Sequence, residues 1–529
     1  MDALVQGAAF VIDLFFSLSL VKRIIFSAGS IALVAWLLRP ASHLKYPPGP
    51  KGIPLIGNLL QLTPDVWFKF TDWKEVYGPI VYLNLAGQNV VVLNTLKVAA
   101  DLLDRRAAIY SSRPKFIVAR EMLSEGLFFV FQGHHNLWRR MRRAAHEALH
   151  RGLVKDYHPI QTIEATILLK DMLATPADWE NHLVRTAGST ILAVAYDKPP
   201  LVDAKDPNMQ MLHNFTAKIL RAGFVDGYLI EFFPFLEHLP SSLFSWKQEA
   251  LEWGPKFSKL FTGLYGEVKT RVVDGDTRPS FSASMVEKQI KYDLNDKESA
   301  WLVATISAAF ETMSGSMIWF MLAMVMYPET QKKAQDEIDA IVGRGRLPTF
   351  DDFEDLVYVR ALFKETLRWH PVGPLGMQHV STEDDVYEGY FIPKGTVCIP
   401  NIWAINRDPD LWGPDADHFV PDRHIGPDGK LAPSFLDTKE EGHVTFGFGR
   451  RICVGRHLAR NSLFLMMAYL LWMFKIKPPV GPDGKEIVCT DDGVDLGLVV
   501  RAQEFAHQFE VRHPDAIAIF EAHRELMSL

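Results

Sequence analysis

The chain has 529 residues, 48% of them hydrophobic and 22% charged, a balance that supports a large buried core and excludes a mainly disordered protein. Its 56 basic and 63 acidic side chains leave a net charge of -7, which removes the global basic excess of a nucleic-acid binder. Three cysteines, Cys398, Cys453 and Cys489, cannot build a disulfide framework for this length, so reducing surroundings are expected and any special cysteine acts singly.

Two apolar stretches open the chain. Residues 3–21 contain Asp13, while residues 24–38 are free of charge but, at fifteen residues, fall short of the roughly 20 that span a hydrocarbon core. A secretory signal places its basic residues before the apolar run, whereas Lys22, Arg23 and Arg39 lie between and after these two. With Lys45 and Lys51 close by, they favour a cytosolic body behind an uncleaved N-terminal membrane anchor over residues 1–45. Residues 46–54 are too rich in proline to continue a helix and read as a stiff hinge. No fixed-period repeat follows, so residues 55–529 are read as one domain.

Within that domain, residues 81–93 alternate around Gly87-Gln88-Asn89 and predict a hairpin. His146-Glu147-Ala148-Leu149-His150 matches H-E-x-x-H, a zinc-hydrolase pattern. Leu153 and Asp156 stand where an extended zinc motif needs glycine and histidine, so only a remote zinc reading survives. Residues 300–326 form a long apolar run interrupted by Glu311 and Thr312, which suits a core helix passing a functional site better than a membrane span. Glu365-Thr366-Leu367-Arg368 is a short E-x-x-R match, common by chance. Residues 387–404 turn strand-like, and Phe419-Val420-Pro421-Asp422-Arg423-His424 follows. Last comes Phe446-Gly447-Phe448-Gly449-Arg450-Arg451-Ile452-Cys453-Val454-Gly455, whose cysteine sits in a glycine turn beside arginines. Exposed backbone N–H groups and Arg451 would favour a thiolate there, against the alternative of an inert buried thiol.

The last run resembles the haem-ligand loop of the cytochrome P450 superfamily, F-x-x-G-x-R-x-C-x-G, at all five fixed positions. Chance gives roughly one such match in twenty thousand chains of this composition. The E-x-x-R, strand-rich and F-x-P-x-R segments precede it in the family's order. Asp422 and His424 depart mildly from the usual residues, and Ala309 replaces the usual glycine in Ala308-Ala309-Phe310-Glu311-Thr312.

The resemblance implies a mainly α fold with smaller β-sheet portions. It implies haem b with Cys453 as axial iron ligand, and propionates held by Arg142, Arg451 and His379. Trp138 pairs with Arg142 in a W-x-x-x-R helix motif. Glu365, Arg368 and Arg423 would form a buried structural network. Glu311 and Thr312 would deliver protons. No flavin or nicotinamide fingerprint is present, so electrons would come from NADPH through a separate reductase, met by a basic face of Arg139, Arg140, Arg143, Arg456, His457 and Arg460.

The implied protein is a monomeric monooxygenase of the endoplasmic reticulum membrane acting on a lipophilic small molecule, similar to microsomal-type members of fungal secondary metabolism. By the same analogy, residues 116–130, 301–312, 372–377 and 493–500 would contact substrate, with Phe128, Phe129, Phe131 and Phe310 supplying apolar surface. An oxygen-independent haem-thiolate isomerase or dehydratase is the alternative, and the Glu311-Thr312 pair argues against it. A haem-binding sensor is more remote still.

Overall fold

The computed structural model describes residues 45–529 apart from Ala204, Val225, Asp226, Thr277, Pro482 and Asp483. The expected anchor over residues 1–45 therefore lies, but for Lys45, outside the described residues. The proline-rich hinge is docked on the body. Pro48 O accepts the Tyr82 N–H at 2.8 Å, and a side chain at Gly49 would meet Tyr82 O at 1.9 Å, so only glycine permits this close approach.

The hairpin expected near Gly87 forms as β1 (Ile80–Leu85) and β2 (Gln88–Leu93), in the register Ile80 with Leu93 to Leu85 with Gln88. Ala86 and Gly87 turn it with φ of 50° and 95°, the two left-handed residues that a tight hairpin turn requires. Strands β3 (His379–Val380), β4 (Asp385–Tyr387), β5 (Tyr390–Ile392) and β6 (Val397–Pro400) account for the strand-like stretch. β6 joins β2 in parallel and β3 antiparallel, giving a sheet ordered β1-β2-β6-β3. Three two-stranded ribbons complete the β portion: β4 with β5, β7 (Phe474–Lys477) with β10 (Gln508–Val511), and β8 (Gly493–Asp495) with β9 (Val500–Ala502).

Helices make up most of the remainder. The principal ones are α1 (Val66–Tyr77), α2 (Asn136–Leu149), α3 (His158–Ala174), α4 (Trp179–Tyr196), α5 (Pro207–Gly223), α6 (Ser245–Val273), α7 (Asp296–Ala304), α8 (Ala309–Met326), α9 (Pro328–Ile341), α10 (Val357–Trp369), α11 (Arg456–Met473) and α12 (Ala516–Leu526). Asn295 caps α7 by accepting the Glu298 N–H while Glu298 accepts the Asn295 N–H, both at 2.9 Å. Proline at the start of α9 ends α8. Residues 296–326 are the one stretch among those described that is long and apolar enough to cross a membrane, and 83% of the qualifying window is buried in protein. This is a core helix. It packs against α4, α10, α11 and β9, and so carries Glu311 and Thr312 through the middle of the fold. The short C-terminal helix α12 docks on α3 through buried Phe520 and through His523, whose Nε2 lies 3.4 Å from Thr166 Oγ1.

Candidate active site

The Cys453 loop is built by its glycines. Gly447 and Gly449 have φ of 79° and 54°, left-handed values that let the chain double back until the Cys453 N–H donates to Phe446 O at 2.9 Å. At Gly449 a Cβ would lie 2.2 Å from Leu103 O, and the Gly449 N–H donates to Asp104, so this turn is pinned to the segment before α2. At Gly447 and Gly455 a Cβ would meet nothing within 4 Å. Cys453 is exposed by area, yet surrounding protein pushes its thiol pKa up by desolvation. Both hold for a side chain that faces an internal hollow. The Gly455 N–H, Arg142 and Arg456 act against that rise. The cations acting on the thiol are therefore Arg142 and Arg456. The expected Arg451 is committed elsewhere, with Nε donating to Ser111 O at 2.8 Å and Nη2 to Gln132 O at 2.7 Å.

Beneath the loop lies the expected charge network. Arg368 grips Glu365 with two hydrogen bonds of 2.7 Å and donates onward to the carbonyls of Asn406, Ala416 and His418. Arg423 donates to Glu365 at 3.1 Å and to the carbonyls of Trp412 and Asp415. His424 adds a contact of 2.8 Å, which makes the departure from the family pattern at this position a further member of the network. Burial opposes ionisation of Glu365, but Arg368 and His424 hold its carboxyl far below the ordinary range. Every formal charge here is paired and hydrogen-bonded, the condition under which burial is tolerable.

Trp138, Arg142, Arg451 and His379 converge from α2, the loop and β3. The Arg451 guanidinium lies 3.9 Å from the Trp138 ring centroid, and the Phe129 ring lies parallel to that of Trp138 at 6.0 Å. Sequence reading missed a further member, Arg113, in the segment Ser111-Ser112-Arg113-Pro114. It is held by the carbonyls of Met377 and Gln378 at 2.8 and 2.6 Å, a long-range contact with no local periodic signature. Burial pushes the three guanidinium pKa values down, to about 9 for Arg113, where Arg142 adds repulsion, about 10 for Arg142, where Arg456 does, and about 7 for Arg451, where Arg113 and Arg142 both do. His379 Nδ1 donates to Tyr110 O at 2.6 Å, and burial beside Arg113 holds the imidazole well below its ordinary value.

The long central helix is interrupted one turn before Glu311 and Thr312. Between α7 and α8, Thr305–Ala308 tightens to a 3-10 turn, and Ala309 continues it with φ of -75°, so the break needs no glycine. Thr312 Oγ1 donates to Ala309 O at 2.8 Å. Glu311 is 6% exposed, and its Oε1 lies 3.2 Å from His213 Nδ1 on α5.

Several other expectations resolve differently. Glu147 accepts from Lys291 at 2.6 Å and from Tyr292 at 2.8 Å, while His150 caps the end of α2, so the H-E-x-x-H residues do not converge on a metal. No group of three metal-ligating side chains occurs among the described residues. Phe128 and Phe131 are buried in an aromatic cluster with Phe116, Phe215 and Trp301, and Phe129 backs Trp138. In the basic face, Arg140 pairs with Asp293 at 2.6 Å, and His457 is buried and lowered to about 4 by desolvation, then by Arg456. What stays open is a groove of about 530 Å³ lined by Arg139, Arg142, Arg143 and Arg450 with Trp138 and Glu147.

The arrangement suits a haem on this structure's own terms. A bare thiol faces a hollow, open space lies over Gly447 and Gly455, and the Trp138 Nε1 is buried without an acceptor. Three guanidiniums repel one another beside it, as befits a site for the two propionates. These features define the haem-thiolate class of protein. Comparison with known proteins agrees. The family described as Cytochrome P450 matches residues 47–509. A cytochrome P450 monooxygenase of Armillaria gallica is 50% identical over 496 residues, covering 93% of this chain and 95% of that one. Cytochrome P450 monooxygenase 58 of Postia placenta is 47% identical over 461 residues, 87% of each chain. One of Amanita muscaria is 38% identical over 543 residues, covering 93% of this chain and 96% of its own. The chain belongs to the cytochrome P450 monooxygenase family.

Proposed function

We propose that the protein inserts one oxygen atom from O2 into a lipophilic small molecule of fungal secondary metabolism, as a monomer held at the endoplasmic reticulum membrane by residues 1–45. The observation that carries this reading is a bare cysteine presented to a hollow by a glycine-built loop, in a chain whose core helix α8 carries a buried acid beside an alcohol in its first turn. Bound haem supplies the iron at which O2 is activated, a reaction favoured by thiolate ligation.

The residues of the chain divide the remaining work. Cys453 would hold the haem iron through its thiolate, and its 2.9 Å backbone bond to Phe446 keeps it in place. Arg113, Arg142 and Arg451 take the propionates, and Trp138 orients Arg451. Thr312 and Glu311 supply protons from α8, and this pair separates the reading from an oxygen-independent isomerase or dehydratase. Glu365, Arg368, Arg423 and His424 fix the floor under the loop. Exposed Arg139, Arg143 and Arg450 receive an acidic NADPH-dependent reductase, an encounter that weakens as salt screens it.

The deciding measurement is the reduced carbon monoxide difference spectrum of the purified protein and of Cys453→Ala. The wild type should show the red-shifted Soret band of a thiolate ligand, and the variant should lose it. A wild type without that band overturns the reading. Turnover that needs both NADPH and reductase then separates monooxygenase from isomerase.

A further inference from the structure

Glu311 poses a supply problem. It is buried in the middle of the fold, and each proton it gives to the reaction must be replaced from water. Its ion-pair partner among the described residues is His213, on a different helix and with 61% of its side chain exposed. The imidazole thus touches solvent on one side and the carboxylate on the other, with Nδ1 3.2 Å from Oε1. Thr312, by contrast, spends its hydroxyl proton on Ala309 O, and neighbouring residues on a helix point to different faces.

We propose that His213 is the residue through which solvent protons reach Glu311, a relay acting through that acid and resting on its assignment above as proton donor. The imidazolium gives its Nδ1 proton to Glu311 Oε1, so an N–H bond breaks and an O–H bond forms. A cation and an anion become a neutral imidazole and a neutral acid, which leaves no unpaired charge in the interior. The exposed ring then takes a fresh proton from water. When the acid has passed its proton inward, its carboxylate pairs with the ring again.

Charges around the ring suit the role. Glu311 on α8 raises the imidazole above its ordinary value, while burial and Arg501 on β9 pull it back. No charged group of α4, α6 or the Thr305–Ala308 turn acts on it. The pair is accordingly formed at low pH and lost as pH rises through the raised value. His213 is exposed on α5, with its ring 6.4 Å from that of Phe310, so its replacement removes little core packing.

Two measurements test the relay. In the haem-loaded protein labelled with 13C at histidine Cε1, with His213→Gln identifying the resonance, His213 should titrate above the ordinary value of about 6.5 and fall in Glu311→Gln. An equal midpoint in both proteins overturns the contact. Electron consumption from NADPH with reductase should decline in the wild type as pH rises through the His213 midpoint. His213→Gln should lack that limb and run about 10²-fold slower at low pH, within the range of a lost acid–base relay. His213→Lys keeps a cation beside Glu311 but holds its proton tightly, so it should stay slow. A lysine variant as fast as wild type would reduce His213 to a positioning role and overturn the relay. If the thiolate Soret band is present in all variants and the pH limb persists in His213→Gln, the relay alone fails. If wild type lacks the band, the haem-thiolate reading fails first.

Discussion

Two buried glutamates, Glu365 on α10 and Glu311 on α8, are held in opposite ways. Glu365 accepts from Arg368, Arg423, His424 and the Val420 N–H, and its partners are themselves bound to backbone carbonyls. Glu311 has one ion-pair partner among the described residues, a histidine in contact with water. A carboxylate locked by permanent cations cannot take up a proton at working pH. One paired with a titratable ring has a removable counter-charge beside it. The first arrangement builds a foundation, and the second leaves the acid beside one exposed imidazole, although both residues are buried acids.

The comparison is broken most severely at the foundation. Glu365→Gln strips Arg368 and Arg423 of their counter-charge in the interior and should cost about 3–5 kcal/mol of stability, read from denaturant unfolding. An unchanged midpoint would mean that the carbonyl contacts alone sustain both guanidiniums. At the other glutamate's neighbour, Thr312→Ala should leave stability and the Soret band intact while lowering oxygen insertion by about 10²-fold, with electrons diverted to hydrogen peroxide. Equal peroxide release in both proteins would remove Thr312 from proton delivery.

Smaller effects sharpen the contrast. Gly449→Ala forces a Cβ against Leu103 O at a left-handed φ and should cost about 1–3 kcal/mol from strain, seen as a lower thermal midpoint. Acid should act gradually, over several pH units. His370 is buried neutral, its pKa lowered to about 3 by desolvation, so the unfolded chain binds the extra proton first. Stability should hold above pH about 6.5 and fall by about 1.4 kcal/mol per pH unit below it for this histidine. A midpoint that rises on acidification would contradict that sign.

The site was legible in sequence wherever chemistry requires fixed residues at short spacing. The Cys453 loop, the Glu365-Arg368 pair and the Glu311-Thr312 pair are all of this kind, and so is the hairpin at Gly87. What escaped depends on distance. Arg113 meets carbonyls more than 260 positions away, and His213 meets Glu311 across two helices, so no local pattern announces either. His424 was visible as an odd residue but not as a ligand of Glu365. The phenylalanines near residue 130 mark another limit of sequence. Hydrophobicity says that a ring is buried, not whether it faces protein or a cavity.

Arg113, Arg142 and Arg451 also bear on how the protein is made. A newly folded chain carries this cluster of like charge before anything anionic has entered, and burial makes the repulsion worse. An anionic cofactor bound there would relieve the repulsion and, binding only the folded form, would stabilise it by mass action. The empty polypeptide opens more often and is the form that chaperones and proteases encounter. Steady-state abundance of the enzyme in a cell should therefore follow haem supply as closely as it follows transcription.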